Sequence, residues 1–532
     1  MKNRKRKRKR IDNKVDFVLL LIFLVIGLYF GIEAILGNLI PLKYILIFLV
    51  VVLFLFVGIF LTFKVRNSTF RVFRKVFLVV VCVVLLFGGI FQGQIRNAFS
   101  NVNDGSFYKD YMYVITLKDN SYENIEDVGV LGYLSQSDDL LEYSLEQLSE
   151  YQFEKKTYDS LEEELSELEG GEVDAVLISA KDQTLQELNN DSFSGKYKTI
   201  HTIEMTIESN NDVVSNDLTS KPFVVYIAGL DNMGEPTQLG LHDVNMLLMV
   251  DPINHHVEMV SINRDTYIPN PMMNDYPDKL THLGWYGPET AMNTLERVFG
   301  IQIDYYAKVT FESLIKIIDT LGGIDVDVQI SFTEQDENRS FEEGDLIHLE
   351  KGYQHLNGSQ ALAYARHRHT EGWDVKGREQ AQRDIIAAIV DKMLSVEGAL
   401  KLGDVVNVAA SYVSTNMSMD SARSFVKSAI DSGHGWTFGS STVNGDVEVL
   451  LPCAMENDLE RSVVLLEEND IQLVHDIYTS MNTQIHFNDF AFDLDDMEKY
   501  MDTFTLDKHV VTLENYYDVV PEYFPEYLRY RF

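Results

Sequence analysis

Apolar residues crowd the first hundred positions of the chain and then settle into short periodic runs. Three nearly unbroken apolar stretches, 17–40, 42–63 and 76–95, each approach the roughly 20 residues that carry a helix across the hydrocarbon layer of a bilayer. Three in succession exceed the single short apolar core of a cleaved signal peptide. The leader KNRKRKRKR precedes the first stretch. Lys64, Arg66, Arg71, Arg74 and Lys75 lie between the second and third, whereas the link between the first two holds one lysine. Cytoplasmic loops collect Lys and Arg. This predicts a multi-pass membrane protein with its N-terminus and second loop in the cytoplasm and its C-terminal domains extracellular.

Beyond residue 100 the pattern alternates. YMYVITL (111–117), VGVLGYL (128–134) and VDAVLIS (173–179) read as strands. Between them DDLLEYSLEQLSEY and SLEEELSELEGG carry apolar residues at helical spacing, the second stopped by Gly170 and Gly171. The alternation predicts βαβ crossovers in a small accessory α/β domain over 101–218, after a membrane region at 1–100. A second α/β domain is expected over 219–460. Its strands are PFVVYIAGL, VNMLLMVDP, VEMVSI and IDVDVQI; its helices are ETAMNTLERVF and FESLIKIIDTL, each closed by glycine. In the long helix GREQAQRDIIAAIVDKML, Ile385, Ile386, Ile389 and Met393 mark the core-facing side. Residues 461–532, with a Tyr-rich tail, are set apart as a C-terminal extension.

Charge changes the picture in one respect. The 532 residues carry a formal net charge of −36, yet 1–75 hold 15 Lys/Arg against 3 Asp/Glu, so the remainder is strongly acidic. An acidic exterior argues against a nucleic-acid partner, whose phosphates attract cationic protein. The basic leader suits topology and contact with anionic membrane lipid. Cys82 lies in an apolar run and Cys453 far away, so no disulfide framework is expected. Such a cysteine-poor surface protein fits a Gram-positive bacterium with a single membrane.

Candidate chemistry gathers where strands end, the usual ligand crevice of α/β sheets. Asp231 follows the strand ending AGL, and Asp243 opens the next. Two carboxylates on adjacent strands suit a hard cation such as Mg²⁺ or Mn²⁺, or are simply turn residues. Arg264 and Asp265, in NRD after VEMVSI, place a planar cation at a strand end, fit for bidentate phosphate binding or for a surface ion pair. In ARHRH (365–369), Arg366 and Arg368 share a face if the segment is extended, where an anion such as pyrophosphate relieves their repulsion, or they form a solvated basic patch. Arg378 and Gln382, four apart, share a face in the first turns of the long helix, as an anion contact or a solvated polar pair. In DKLTHLG, Lys279 is a candidate phosphate contact and His282 a polar orienter, or they are a loop lysine and a satisfied histidine. His255 and His256 lack ligand-spaced partners, and no GxSxG, HExxH or P-loop pattern occurs.

The ordered motifs GLD, HDVNMLLMVDP, SINRDTYIP, DKLTHLG, LGGIDVDV, LNGSQALAYARHRH and GREQAQR resemble the LytR-CpsA-Psr domain over about 221–400. The three spans and accessory module look like the CpsA type found with capsule genes. The resemblance implies an α/β domain with a central mixed sheet flanked by helices. It also implies an extracellular phosphotransferase that passes a polyprenyl-pyrophosphate-linked glycopolymer, capsular or teichoic-acid-like, to a peptidoglycan hydroxyl. By motif, Asp231 and Asp243 take the metal. Arg264 is catalytic with Asp265 assisting; Arg366, Arg368, Arg378 and Gln382 contact pyrophosphate, with Lys279 at the edge. Leu241 and Ala381 stand where members usually carry arginine. They leave open a non-catalytic polyprenyl-phosphate-binding or regulatory protein. Water as acceptor leaves open a pyrophosphatase.

Overall fold

The computed structural model describes residues 2–483 apart from 38–41, 66, 100–106, 136–137, 191, 209–217, 232, 338–341, 343, 369, 374, 395–400, 402–403, 407, 410, 433–434, 444, 446 and 457–458. The Tyr-rich tail, His369 and Asp374 therefore lie outside the described residues. Helices α1 (Lys2–Gly37), α2 (Leu42–Leu61) and α3 (Ser68–Phe99) contain three segments long and apolar enough to cross a membrane: Lys14–Leu36, Tyr44–Lys64 and Thr69–Ile90. Leu20, Phe23, Val52, Leu78 and Cys82 pack between the helices, while side chains such as Phe54 and Phe87 point outward. Arg74, one of the basic residues counted before the third run, is buried in an ion pair with Asp16. It also donates to Thr62 O at 3.0 Å, tying α3 to α1 and to the end of α2.

The accessory unit comprises β1 (Phe107–Leu117), β2 (Val130–Leu134), α4 (Asp139–Gln147), β3 (Glu154–Tyr158), α5 (Leu161–Gly170), β4 (Ala175–Ser179), α6 (Ala180–Asn189), α7 (Phe193–Lys196) and β5 (Tyr197–Glu208). Its sheet runs β3-β2-β4-β1-β5. β2 is parallel to both β3 and β4, which gives the two βαβ crossovers that the alternation predicts. Asp138, Ser160 and Ser179 each accept a backbone N–H and so cap α4, α5 and α6.

The second unit contains β6 (Phe223–Leu230), β7 (His242–Asp251), β8 (His256–Ile262), the hairpin β9 (Tyr267–Asn270) and β10 (Tyr276–Lys279), α8 (Pro288–Phe299), β11 (Tyr305–Thr310) and α9 (Phe311–Leu321). There follow β12 (Ile324–Val328), β13 (Phe332–Glu334), β14 (Ile347–Leu349), β15 (Gly352–Leu356), α10 (Gly358–Arg366) and α11 (Val375–Leu394). β16 (Val413–Thr415), α12 (Met419–Ser432), β17 (Thr437–Val443), the hairpin β18 (Val447–Cys453) and β19 (Leu459–Leu465), and α13 (Glu468–Thr483) complete it. The central sheet is mixed, in the order β16-β11-β6-β7-β8-β17. β6, β7 and β8 form an antiparallel meander, and β11 and β17 join it in parallel.

Residues alternate across each strand. Tyr226 and Ala228 face one side with Leu247, Val260 and Tyr306. Val225 and Ile227 face the other with Met246, Met259 and Tyr305, against α11 and α12. Cys453, Val463, Leu465 and Val474 belong to the first face, so the stretch up to Thr483 is part of this core. The boundary expected at 460 falls inside β19, because the hairpin buries its apolar alternation under the sheet.

The accessory unit docks through β1. Lys109 N donates to Thr237 O at 3.0 Å, and Leu239 N donates to Lys109 O at 2.9 Å. Tyr108 donates to Glu289 and lies 3.0 Å from the Tyr306 hydroxyl. The Lys308 ammonium, fully buried, donates to Gln238 O at 3.1 Å and stands 4.7 Å from the Tyr108 ring centre. Leu239, Trp285, Met455 and Ala180 close an apolar patch around them.

Burial pulls the Lys308 pKa down to about 7, with Glu289 opposing. The folded state then holds this proton less tightly than the unfolded chain, so the cost of burying the charge is full below pH 7 and fades toward the unfolded value of 10.5. In thermal melts of the detergent-solubilised protein, the wild-type Tm is expected to gain on that of Lys308→Met as pH rises from about 7 to about 9.5. Parallel profiles would refute the burial cost.

Candidate functional site

The end of the central sheet beyond Leu230 collects the charged residues. Asp231 follows β6, and Asp243 is the second residue of β7, beside His242, which pairs with Leu230. Arg264 and Asp265 lie in a turn directly after β8. Asp265 N donates to Asn263 Oδ1 at 2.8 Å, and Thr266 bonds back to Asn263 O through both its amide (3.1 Å) and its hydroxyl (2.6 Å). That Asx-type closure explains why the NRDT sequence turns here and presents Arg264 rather than continuing the strand. Arg264 bonds Asp243. Lys279 Nζ, at the end of β10, donates to Asp265 Oδ1 at 2.9 Å.

Arg366 and Arg368 reach the site by a different route from the one expected. The segment is not extended: Arg366 is the last residue of α10. Asn357 and Gln360 make a reciprocal capping box at 2.9 and 3.0 Å, and the run ALAYA favours continuation of the helix. Gly358 is required by close packing, since a Cβ there would come within 2.6 Å of Ile315 O on α9. The chain leaves the helix at His367, which is buried between Glu334 and Thr370 at 2.8 Å each. Arg366 Nη2 donates to Asp336 O at 3.1 Å, and the guanidinium lies 5.3 Å from the Phe311 ring centre.

Arg378 and Gln382 share a face of α11, and Gln382 Nε2 donates to Ala365 O at 3.3 Å. Arg378 Nε is buried and has no hydrogen-bond partner among the described residues. Ala381, at the position of the missing arginine, is fully buried in the cluster of Tyr364, Trp373 and Ile385. Leu241 packs into the patch between the two units.

Asp231, Asp243, Arg264, Asp265, Lys279, Arg366, Arg368, Arg378 and Gln382 all line one cavity of about 680 Å³. Its other wall is apolar: Ile227 and Val309 from the sheet, Leu314 and Ile317 from α9, Ile386 and Ile389 from α11. Ile385, Ile386 and Ile389, expected to face the core, pack against the hydrophobic clusters and also line the cavity. From Arg378 to Ile389 one helix descends roughly 16 Å, from a cationic turn to apolar turns.

Burial pushes the Asp243 carboxyl above its ordinary pKa; Arg264 pulls the other way, and the charge of Asp231 adds to the rise. Burial also works against the Arg264 charge, but Asp243, Asp265 and Asp231 outweigh it and hold its pKa above the usual value. The Arg378 pKa falls through burial and through repulsion from Arg264 and Arg368. An anion among these arginines relieves that repulsion. Among the described residues no group of three or more His, Cys, Asp or Glu is placed to hold a metal. The pair Asp231 and Asp243 fits Mg²⁺ in the form it takes with phosphates, one or two carboxylates plus phosphate oxygens and water. His256 bonds Thr437 at 2.9 Å.

Sequence reasoning missed Glu456, Arg461 and Asn189, which also line the cavity. The first two flank the expected domain boundary, and the third belongs to the accessory unit. No motif marked them.

The LytR_cpsA_psr family model matches residues 186–446. The polyisoprenyl-teichoic acid–peptidoglycan teichoic acid transferase TagV of Bacillus subtilis is 32% identical over 234 residues, which are 42% of this chain and 58% of TagV. TagU of Bacillus anthracis, with the same descriptive name, is 30% identical over 230 residues, 43% of this chain and 72% of TagU. The crystal structure of B. subtilis TagV superposes with a TM-score of 0.42 at 26% identity, over 50% of this chain and 98% of TagV. TagT bound to LI-WTA gives 0.40 at 22% identity, over 51% and 94%. On the family-model match and the TagU sequence match the chain belongs to the LytR-CpsA-Psr family.

Proposed function

We propose that the chain is an extracellular phosphotransferase that moves a polyprenyl-pyrophosphate-linked glycopolymer, capsular or teichoic-acid-like, onto a hydroxyl of peptidoglycan. The observation that carries this reading is the composition of one cavity: four arginines at its charged end, one with a buried unpartnered Nε, and a continuous apolar wall behind them. A pyrophosphate with a long hydrocarbon tail has that same division. The relatives' names describe transfer of a polyisoprenyl-linked teichoic acid to peptidoglycan.

In this reading Arg366, Arg368, Arg378 and Gln382 hold the pyrophosphate. Arg264 faces the phosphoryl group under attack, and Asp265 keeps Arg264 and Lys279 in place. Phosphoryl transfer asks the protein for position and charge neutralisation more than for covalent chemistry. The acceptor hydroxyl oxygen forms the new bond to phosphorus, the bridging P–O bond to the lipid phosphate breaks, and the hydroxyl proton leaves with the departing lipid phosphate. A Mg²⁺ on Asp231 and Asp243 supplies neutralisation of the phosphate oxygens when bound. The N-terminus is taken as cytoplasmic from the basic leader and second loop, which places both α/β units outside the membrane.

Arg264→Ala is expected to lower wall-attached polymer by about 10²-fold or more while the protein stays folded in the membrane. Normal attachment in that variant refutes the assigned role. Release of lipid phosphate without incorporation into peptidoglycan favours the hydrolase alternative. Purified wild-type protein is expected to carry a polyprenyl lipid visible by mass spectrometry, and Ile389→Glu to lose it. Arg366→Ala and Arg368→Ala should each weaken lipid-pyrophosphate binding by roughly tenfold or more, and unchanged binding in both counts against the clamp.

A further inference from the structure

The cavity has a second polar group at its rim, set apart from the arginine cluster. Arg461, on β19, bonds both Glu456 and Asn189. Glu456 is buried, and its Oε1 lies 3.5 Å from His282 Nε2. His282 Nδ1 lies 2.5 Å from Asp278 Oδ1. Asn189 and the exposed Leu188 end α6 of the accessory unit. Glu456 and Arg461 lie beyond residue 446, where the family match stops. The rim is therefore assembled from two units of the chain.

Its chemistry differs from that of the phosphate end. The Arg461 charge is already balanced by Glu456, so a second phosphate gains little there. A guanidinium, a carboxylate and an amide together offer both donors and acceptors. Sugar hydroxyls need both, because each donates one hydrogen bond and accepts others. Leu188 adds an apolar surface for the C–H face of a ring. The two polar groups are joined by consecutive residues of β10: Lys279 reaches Asp265, while Asp278 reaches His282 and, through it, Glu456. Asp265 in turn lies 3.7 Å from Arg264 Nε, so the chain of contacts runs from the rim to Arg264.

We propose that Asn189, Glu456 and Arg461 form a sugar-hydroxyl subsite, with one wall contributed by the accessory unit, that recognises the glycan next to the reacting phosphate. The inference rests on the reading of the cavity as a lipid-pyrophosphate site. The glycan comes either from the donor or from the peptidoglycan acceptor, and the test separates these sources.

The full-length protein in detergent is titrated with polyprenyl pyrophosphate bearing no sugar, with the same lipid bearing a disaccharide, and with a soluble peptidoglycan glycan fragment. Wild type is expected to prefer one glycan-bearing probe over its sugar-free counterpart by roughly 10–100-fold, the worth of about one hydrogen bond to a charged group. A preference confined to the disaccharide lipid assigns the rim to the donor; binding of the fragment assigns it to the acceptor. Arg461→Met and Asn189→Ala should each erase most of the preference and leave sugar-free lipid binding within about twofold. Equal loss for all probes makes the rim merely structural and overturns the proposal. Retention of the full preference in both variants overturns it as well. If wild type fails to bind the sugar-free lipid, the cavity reading itself falls, and the subsite with it.

Discussion

Gathering guanidinium groups in a part-buried crevice is the constraint around which the second unit is arranged. Arg264, Arg366, Arg368 and Arg378 arrive from a turn, a helix end, the segment after it and a helix start, and all line one cavity. Burial, and then repulsion among them, lowers the Arg378 pKa even though Asp243 stands nearby. Such a cluster persists only where the surrounding elements are rigid enough to hold it. The mixed sheet supplies that rigidity. Its meander fixes Asp231, Asp243 and Arg264 at neighbouring strand ends, and the capping boxes of α9 and α10 fix where those helices begin. Gly358 lets α10 lie against α9, which brings Arg366 over Phe311.

The same crevice explains the use of α11. Its first turns are cationic and its later turns apolar, with both facing the cavity. A helix whose sides are apolar at different depths looks, by periodicity alone, like an ordinary core helix. Ile385, Ile386 and Ile389 read as core and do pack against the hydrophobic clusters, but all three also line the cavity, which periodicity alone does not reveal.

Much of the architecture was legible because local signals agreed. Apolar runs marked β6, β7 and β8; glycine stops marked the ends of α5, α8 and α9; and the order of strands and helices pointed to the βαβ crossovers. Asp231, Asp243, Arg264, Asp265 and Lys279 reach the cavity at or just after strand ends, whereas Arg366, Arg368, Arg378 and Gln382 reach it from α10, the segment after it and α11. What escaped was non-local. The extended reading of ARHRH failed because the capping box at Asn357 and the alanine-rich run extend a helix to Arg366. The boundary at 460 failed because β18 and β19 complete a core whose partners lie two hundred residues earlier. The rim of Asn189, Glu456 and Arg461 carries no motif, and only tertiary docking brings it together.

The docking of β1 has a mechanical consequence. Phe99 ends α3 and Phe107 begins β1, so eight peptide steps join the membrane helices to the outer units, a span of at most about 29 Å. Because Tyr108 and Lys109 are fastened to the second unit within two residues of that start, the leash ends at the unit that carries the cavity. That unit is therefore held on the same short tether as the accessory unit, although its first strand begins more than a hundred residues after α3.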